Sequence, residues 1–192
     1  MFRLNSRLCG LLFLVSVSSV LVPISAHAQV INSNQATVTL NATLAETLSI
    51  SATPANVNFT LVSGGPALGS APVVITSNWL LKSTRSAVNL YGWFTTPSAA
   101  LTDGLSPVTN IASSLVYGLV STGSPTSYTA FTASPALGTA GGGLQLYTQA
   151  ITNTNRASTR TDNLLLKIDL TSLPQFPAGT YTGTLTLQAQ SL

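Results

Sequence analysis

Few residues of this chain have side chains that could do chemistry, and they are thinly spread. It has 192 residues, with seven Lys or Arg, four Asp or Glu, one His and one Cys. The acids are Glu46, Asp103, Asp162 and Asp169, while His27 and Cys9 both lie near the start. Four carboxylates suffice in principle for the facing pair that glycoside hydrolysis needs. Yet Asp103-Gly104 has the composition of a turn, and Asp169 belongs to an alternating stretch. No D-x-D-x-D run exists to collect calcium. Arg156-Ala-Ser-Thr-Arg160-Thr-Asp162 is the densest charge, and a loop carrying Arg156, Arg160 and Asp162 would suit an anionic sugar or phosphate. The plainer expectation is a latch in which Arg pairs a carboxylate and backbone carbonyls. Trp79, Tyr91, Trp93 and Tyr117 would serve either as a sugar-stacking platform or as core filling, and core is the ordinary use of aromatics in a sandwich.

The first 28 residues have the pattern of an export signal. Arg3 and Arg7 precede an apolar run from Cys9 to Val22, Pro23 breaks it, and Ala26-His27-Ala28 offers a small-x-small cleavage site. That run has 14 residues, short of the ~20 a membrane-spanning helix requires. Cleavage after Ala28 removes the Met, the Cys and the His, leaving five basic against four acidic residues, a net of +1 over residues 29–192. On that reading Ser-His-Asp and Cys-His nucleophiles are excluded, as are the usual zinc, copper and haem ligand sets. No catalytic, cofactor-binding or metal-ligating residue is expected. No basic cluster remains for nucleic acid, and no membrane span is expected once the leader is gone. The protein is expected to be secreted or displayed at the cell surface by way of the periplasm. The sequons Asn41-Ala-Thr43 and Asn58-Phe-Thr60 fall in strand-like stretches and matter only in a eukaryotic secretory route.

What must position any site is a set of strands. In TVTLNATLAETLSIS (37–51), Val38, Leu40, Ala42, Leu44, Glu46, Leu48 and Ile50 share one face of an extended chain. Shorter runs follow at 57–62, 72–81, 87–94, 114–120, 127–131, 144–151, 163–170 and 180–190, separated by Gly/Pro/Ser turns. No segment sustains a helical period. The pattern predicts an all-β, immunoglobulin-like antiparallel sandwich of about seven to nine strands in one domain, residues 29–192, with a closed barrel as the rival. Pro66-Ala-Leu-Gly-Ser-Ala71 and Pro135-Ala-Leu-Gly-Thr-Ala140 read as two similar turns. GTYTGTLTLQAQSL (179–192) alternates and carries no charge, so it lacks the charges by which natural edge strands are guarded against pairing.

ATVTLNATLAETLSISATP (36–54) with VNFTL, and PAGTYTGTLTLQAQ (177–190), resemble the two ends of spore coat protein U-like domains and archaic chaperone–usher pilins. The segment from Arg160 to Leu170 is similar to one found in uncharacterised secreted bacterial proteins. One departure stands out: such pilins commonly carry a cysteine near the end of the first strand, where this chain has Thr47-Leu48-Ser49. The resemblance implies a sandwich lacking one strand, filled by the N-terminal arm of another copy, with copies of the chain or a periplasmic chaperone as partners. It also implies a structural, non-enzymatic role. Under it, residues 29–44 are a donor arm, and Val38, Leu40, Ala42 and Leu44 are the strand-exchange residues. Two other readings stay open: a self-contained sandwich whose long first strand bends across both sheets, and a secreted carbohydrate-binding or adhesin-like module.

Overall fold

The computed structural model describes residues 31–192, so the expected signal and its cleavage site lie outside the described residues. The chain divides into a first unit ending at Ala42 and a second, Thr43–Leu192. Of the first, residues 31–42 carry neither helix nor strand, and Val38 and Leu40 are 81% and 89% exposed.

The second unit is all-β. Its strands are β1 (Thr47–Thr53), β2 (Pro66–Leu68), β3 (Val73–Leu80), β4 (Ala87–Trp93), β5 (Leu101–Thr102), β6 (Asn110–Ile111), β7 (Val116–Val120), β8 (Thr129–Ala130), β9 (Gly143–Ala150), β10 (Ala157–Asp169) and β11 (Thr186–Ser191). Seven have five residues or more, and single 3₁₀ turns at Pro97–Ala99 and Ser113–Leu115 are the helical content among the described residues. No described helix is long and apolar enough to cross a membrane.

All pairing is antiparallel. The larger sheet runs β1-β3-β10-β7-β8, with β2 on β10 beyond the end of β3. The smaller runs β11-β4-β9. Both orders are open, so the rival barrel does not form and the fold is a sandwich with edges.

Alternation builds the core. Along β3, Val73, Ile75, Ser77 and Trp79 are buried while their neighbours face outward; along β10, Asp162, Leu164, Leu166 and Ile168 are buried. From the smaller sheet Val88, Leu90, Leu144, Leu146 and Tyr147 meet them. Leu146 and Tyr147 are adjacent yet both buried, because the register slips between Leu90 and Tyr91 and the extra residue turns β9 about its axis. Phe94 packs edge-on against Phe131 at 5.3 Å.

Several sequence expectations need correction. The stretch 57–62 forms no strand; it holds a single bridge, Phe59 to Gly69, and packs its apolar side chains on the rim of the core. Pro66–Leu68, read as a turn, is β2. The strand expected at 163–170 starts at Ala157, so Arg160 and Asp162 stand in β10, not in a loop. Their inward positions are polar, which hid the alternation. The first strand begins at Thr47, not at Val38. The last begins at Thr186, with Thr182 bridged alone to Thr102.

Candidate functional site: a groove between two open edges

The two sheets end side by side in edges that have no strand partner among the described residues, β1 on the larger and β11 on the smaller. At one end of the sandwich Glu46 meets Arg85, and Ser86 and Ala87 bond Leu192, so β1 starts where β11 finishes. The two edges therefore run in opposite directions. At the other end the strands give way to irregular chain, residues 54–63 after β1 and 171–185 before β11.

Parity shows which backbone groups are open. Thr182 exchanges both bonds with Thr102, and the Leu192 amide donates to the Ala87 carbonyl. Even-numbered residues of β11 thus face β4, while Leu187 and Ala189 turn their N–H and C=O groups to the free side. Of residues 180–185, only Thr182 takes part in backbone pairing. Gly183 is fixed here by contact: a Cβ would drive into the backbone of Ala100, whose close approach sets the course of this segment.

Where these edges give way to irregular chain lies a groove of about 1050 Å³, lined mostly by residues of 54–63 and 176–185 and reached by Ala52 of β1 and Leu187 of β11, just above the ~300–1,000 Å³ usual for small-molecule pockets. Its floor is apolar, with Val73, Leu166 and Ile168, and its walls are Phe59, Tyr181 and Leu187. Tyr181, Leu185 and Leu187 pack on the core but stay half-buried, since nothing in the described chain covers their groove side. The wall is braced by Phe176 on Tyr181 at 5.1 Å, the Tyr181 hydroxyl donating to the Pro177 carbonyl at 2.8 Å, and the Ser63 hydroxyl donating to the Pro174 carbonyl at 3.0 Å. A groove with apolar side chains and free main-chain groups along one side can take an extended peptide by strand addition.

The exchange residues named from sequence occupy no strand. Val38 and Leu40 are almost wholly exposed, Ala42 is exposed, and Leu44, in the second unit, is 76% exposed. Glu46 marks the change from irregular chain to β1. Its carboxylate accepts from Arg85 Nε and Nη2 at 3.1 Å each and from the Lys82 amide at 2.8 Å. The Arg85 hydrogen bonds, with the Lys82 amide behind them, hold its pKa down at about 2. Sequence reading singled out Glu46 but missed Lys82 and Arg85, which lie 36 and 39 residues away along the chain; only strand pairing brings them in.

The supposed ligand loop is a latch inside the sandwich, and its three residues do not converge. Asp162 is 2% exposed and takes Arg160 Nε at 2.7 Å, Arg160 Nη2 at 2.9 Å and the Thr122 hydroxyl at 2.7 Å. Arg160 also donates to Gln149 and to the Thr122 carbonyl, and lies 4.5 Å over the Tyr147 ring. Asp162 chiefly raises the Arg160 pKa, and burial raises that of Tyr147. Arg156 stands apart, with its guanidinium on Asn153. The Arg160 guanidinium makes four hydrogen bonds within the chain, two of them to Asp162.

The aromatics also divide. Trp79 is 4% exposed and donates to the Asn155 carbonyl, and Tyr91 is 5% exposed with its hydroxyl on Asn89, so neither presents a ring face to solvent. Half-buried Trp93 is roofed by Gly138, whose φ of +101° lets the backbone lie on the indole. Tyr117 flanks Lys167, which also contacts Tyr128, at 4.5 and 5.3 Å, an arrangement the sequence did not signal. Asp103 caps its own loop, accepting from the Leu105 and Thr109 amides, and those bonds lower its pKa. Asp169 is held at about 2 by Thr171 and Lys167. Among the described residues, no three of His, Cys, Asp or Glu are grouped to hold a metal ion. Compared with protein-family models, curated proteins and solved structures, the chain finds no match in any of the three.

Proposed function

We propose that this is an exported structural subunit that assembles by exchanging strands: residues 38–44 of one copy add to the free edge of β11 in another. The observation that carries the reading is the groove, with apolar side chains on its floor, at the end of two oppositely directed edges that are unpaired among the described residues. The chain also holds a segment that fits it. Residues 38–44 alternate Val, Leu, Ala and Leu with polar residues, remain exposed, and extend over about 23 Å at ~3.3 Å per residue. The open stretch 181–187 has the same number of residues.

Direction follows from where the pieces sit. The arm leaves at the Glu46 end, and the groove opens at the other. An arm entering from a copy stacked on the groove end therefore runs with β1 and against β11. That orientation gives an antiparallel ladder and closes the sandwich. Burial of Val38, Leu40 and Leu44 supplies ~1.5–3 kcal/mol per large side chain, and main-chain bonds set the register. A nearly uncharged surface suits a protein whose copies are meant to associate.

The test is the size of the exported chain and of a form lacking residues 29–44. The full chain should form assemblies, and the shortened chain should be a monomer that binds a peptide of residues 36–46 one to one. Discrete monomers in both forms, with no peptide bound, overturn the proposal.

A further inference from the structure

The charges not balanced one to one within the subunit are divided between the two ends of the sandwich, and we infer that they form a contact between successive copies: Lys82 and Arg156 of the copy that donates its arm face Asp103 of the copy that accepts it. This rests on the strand-exchange reading and adds a second, electrostatic surface to it.

The second unit holds nine charged side chains, few enough for each to be placed. Arg160 is paired with Asp162, Lys167 with Asp169, and Arg85 with Glu46. Two of the remaining three have no ion-pair partner among the described residues, and the third, Lys82, shares one: it is 68% exposed and makes a second, longer ion pair at 3.7 Å with the Glu46 carboxylate already held by Arg85. Arg156 bonds neutral Asn153, and its carbonyl takes the Leu81 amide, which places it beside Lys82 at the Glu46 end. Asp103 follows Thr102, the residue bridged to Thr182 on the groove wall, and its carboxylate is capped by backbone amides with no cation among its partners in the described residues. The surplus positive charge thus stands where the arm leaves, and the unpaired negative charge where an arm enters.

The covalent link forces these ends together. If residues 38–44 fill a neighbour's groove, only Ala45 and Glu46 separate them from β1 of their own copy. From Leu44 to Thr47 the chain spans at most about 11 Å. The Glu46 end of the donor must therefore press on the loops around the groove mouth of the acceptor, Asp103 among them. At that range opposite charges attract with little screening, and stacking in the wrong direction brings like charges together.

The experiment follows assembly of the exported full chain by light scattering over a concentration series, at about 0.02 M and about 1 M salt, where the screening length falls to ~3 Å. Asp103→Asn keeps an acceptor for the loop amides but removes the charge, and circular dichroism confirms that it folds. It should raise the concentration needed for assembly about two- to fivefold at low salt, as one exposed ion pair allows, and not at high salt. Asp103→Lys should weaken assembly further, and adding Lys82→Asp with Arg156→Asp should restore it. Leu40→Asp, in the arm, should stop assembly at both salt concentrations. If Asp103→Asn and Asp103→Lys assemble as the parent does while Leu40→Asp does not, the charge contact is wrong and strand exchange stands. If Leu40→Asp also assembles normally, the exchange reading falls and takes this inference with it.

Discussion

Leu40→Asp and Leu164→Ala should separate assembly from folding. Leu40 is 89% exposed and lies in no strand, so exchanging it for Asp removes no buried area and strands no charge in the subunit. Its effect on monomer stability should stay within about ±0.5 kcal/mol, as for other surface changes. Leu164 is fully buried in β10, and truncation to Ala should cost ~2–5 kcal/mol in lost transfer and cavity energy. At ~2–4 °C per kcal/mol for a domain of this size, Leu164→Ala should lower Tm by roughly 5–15 °C, against 2 °C or less for Leu40→Asp. In the assembled state the order reverses. Leu40→Asp loses ~1.5–3 kcal/mol of burial and adds the desolvation of a carboxylate, which should weaken association by about 100-fold or more. Differential scanning calorimetry at low concentration reads the first quantity, and sedimentation across a concentration series reads the second. A Tm loss from Leu40→Asp comparable to that from Leu164→Ala would refute the reasoning, because it would make the arm part of its own subunit's core.

Asp162→Ala should destabilise by about 2–4 kcal/mol: it leaves the partly buried Arg160 without its two bonds to the carboxylate, although Gln149, the Thr122 carbonyl and the Tyr147 ring still hold it. Chemical denaturation gives the value, and a loss under 1 kcal/mol would show that the pair is not needed. Glu46 and Asp169 are both depressed to about 2, so the unfolded chain takes up protons first as pH falls. Their contribution is therefore complete above about pH 4.5 and disappears toward about pH 2. The double variant Glu46→Gln, Asp169→Asn should show a shallower fall in Tm over that range, and an identical pH profile would contradict the assignment. Gly183→Ala should cost about 1–3 kcal/mol by forcing the chain off the Ala100 backbone; an unchanged Tm would mean that this approach is loose.

The period of two alone settled the class of this protein. Alternation along 72–81 could bury only one face of a strand, and the turn clusters between such runs left no room for helix, so all-β was legible from residue types. Glu46, the one polar residue on an otherwise apolar face, stood one position from where β1 begins. Sequence could not show that the same alternation would be paired from Thr47 onward and unpaired before it. Local pattern is identical on the two sides, and pairing depends on whether a neighbouring edge is in reach. Nor could it show that Arg160 and Asp162 lie in a strand, since a buried ion pair on the inward face resembles a solvated loop until Thr122 and Gln149 arrive from elsewhere in the chain. The groove itself is decided by tertiary structure alone: β1 and β11 begin almost 140 residues apart, and only the stacking of two open sheets lays their free edges side by side.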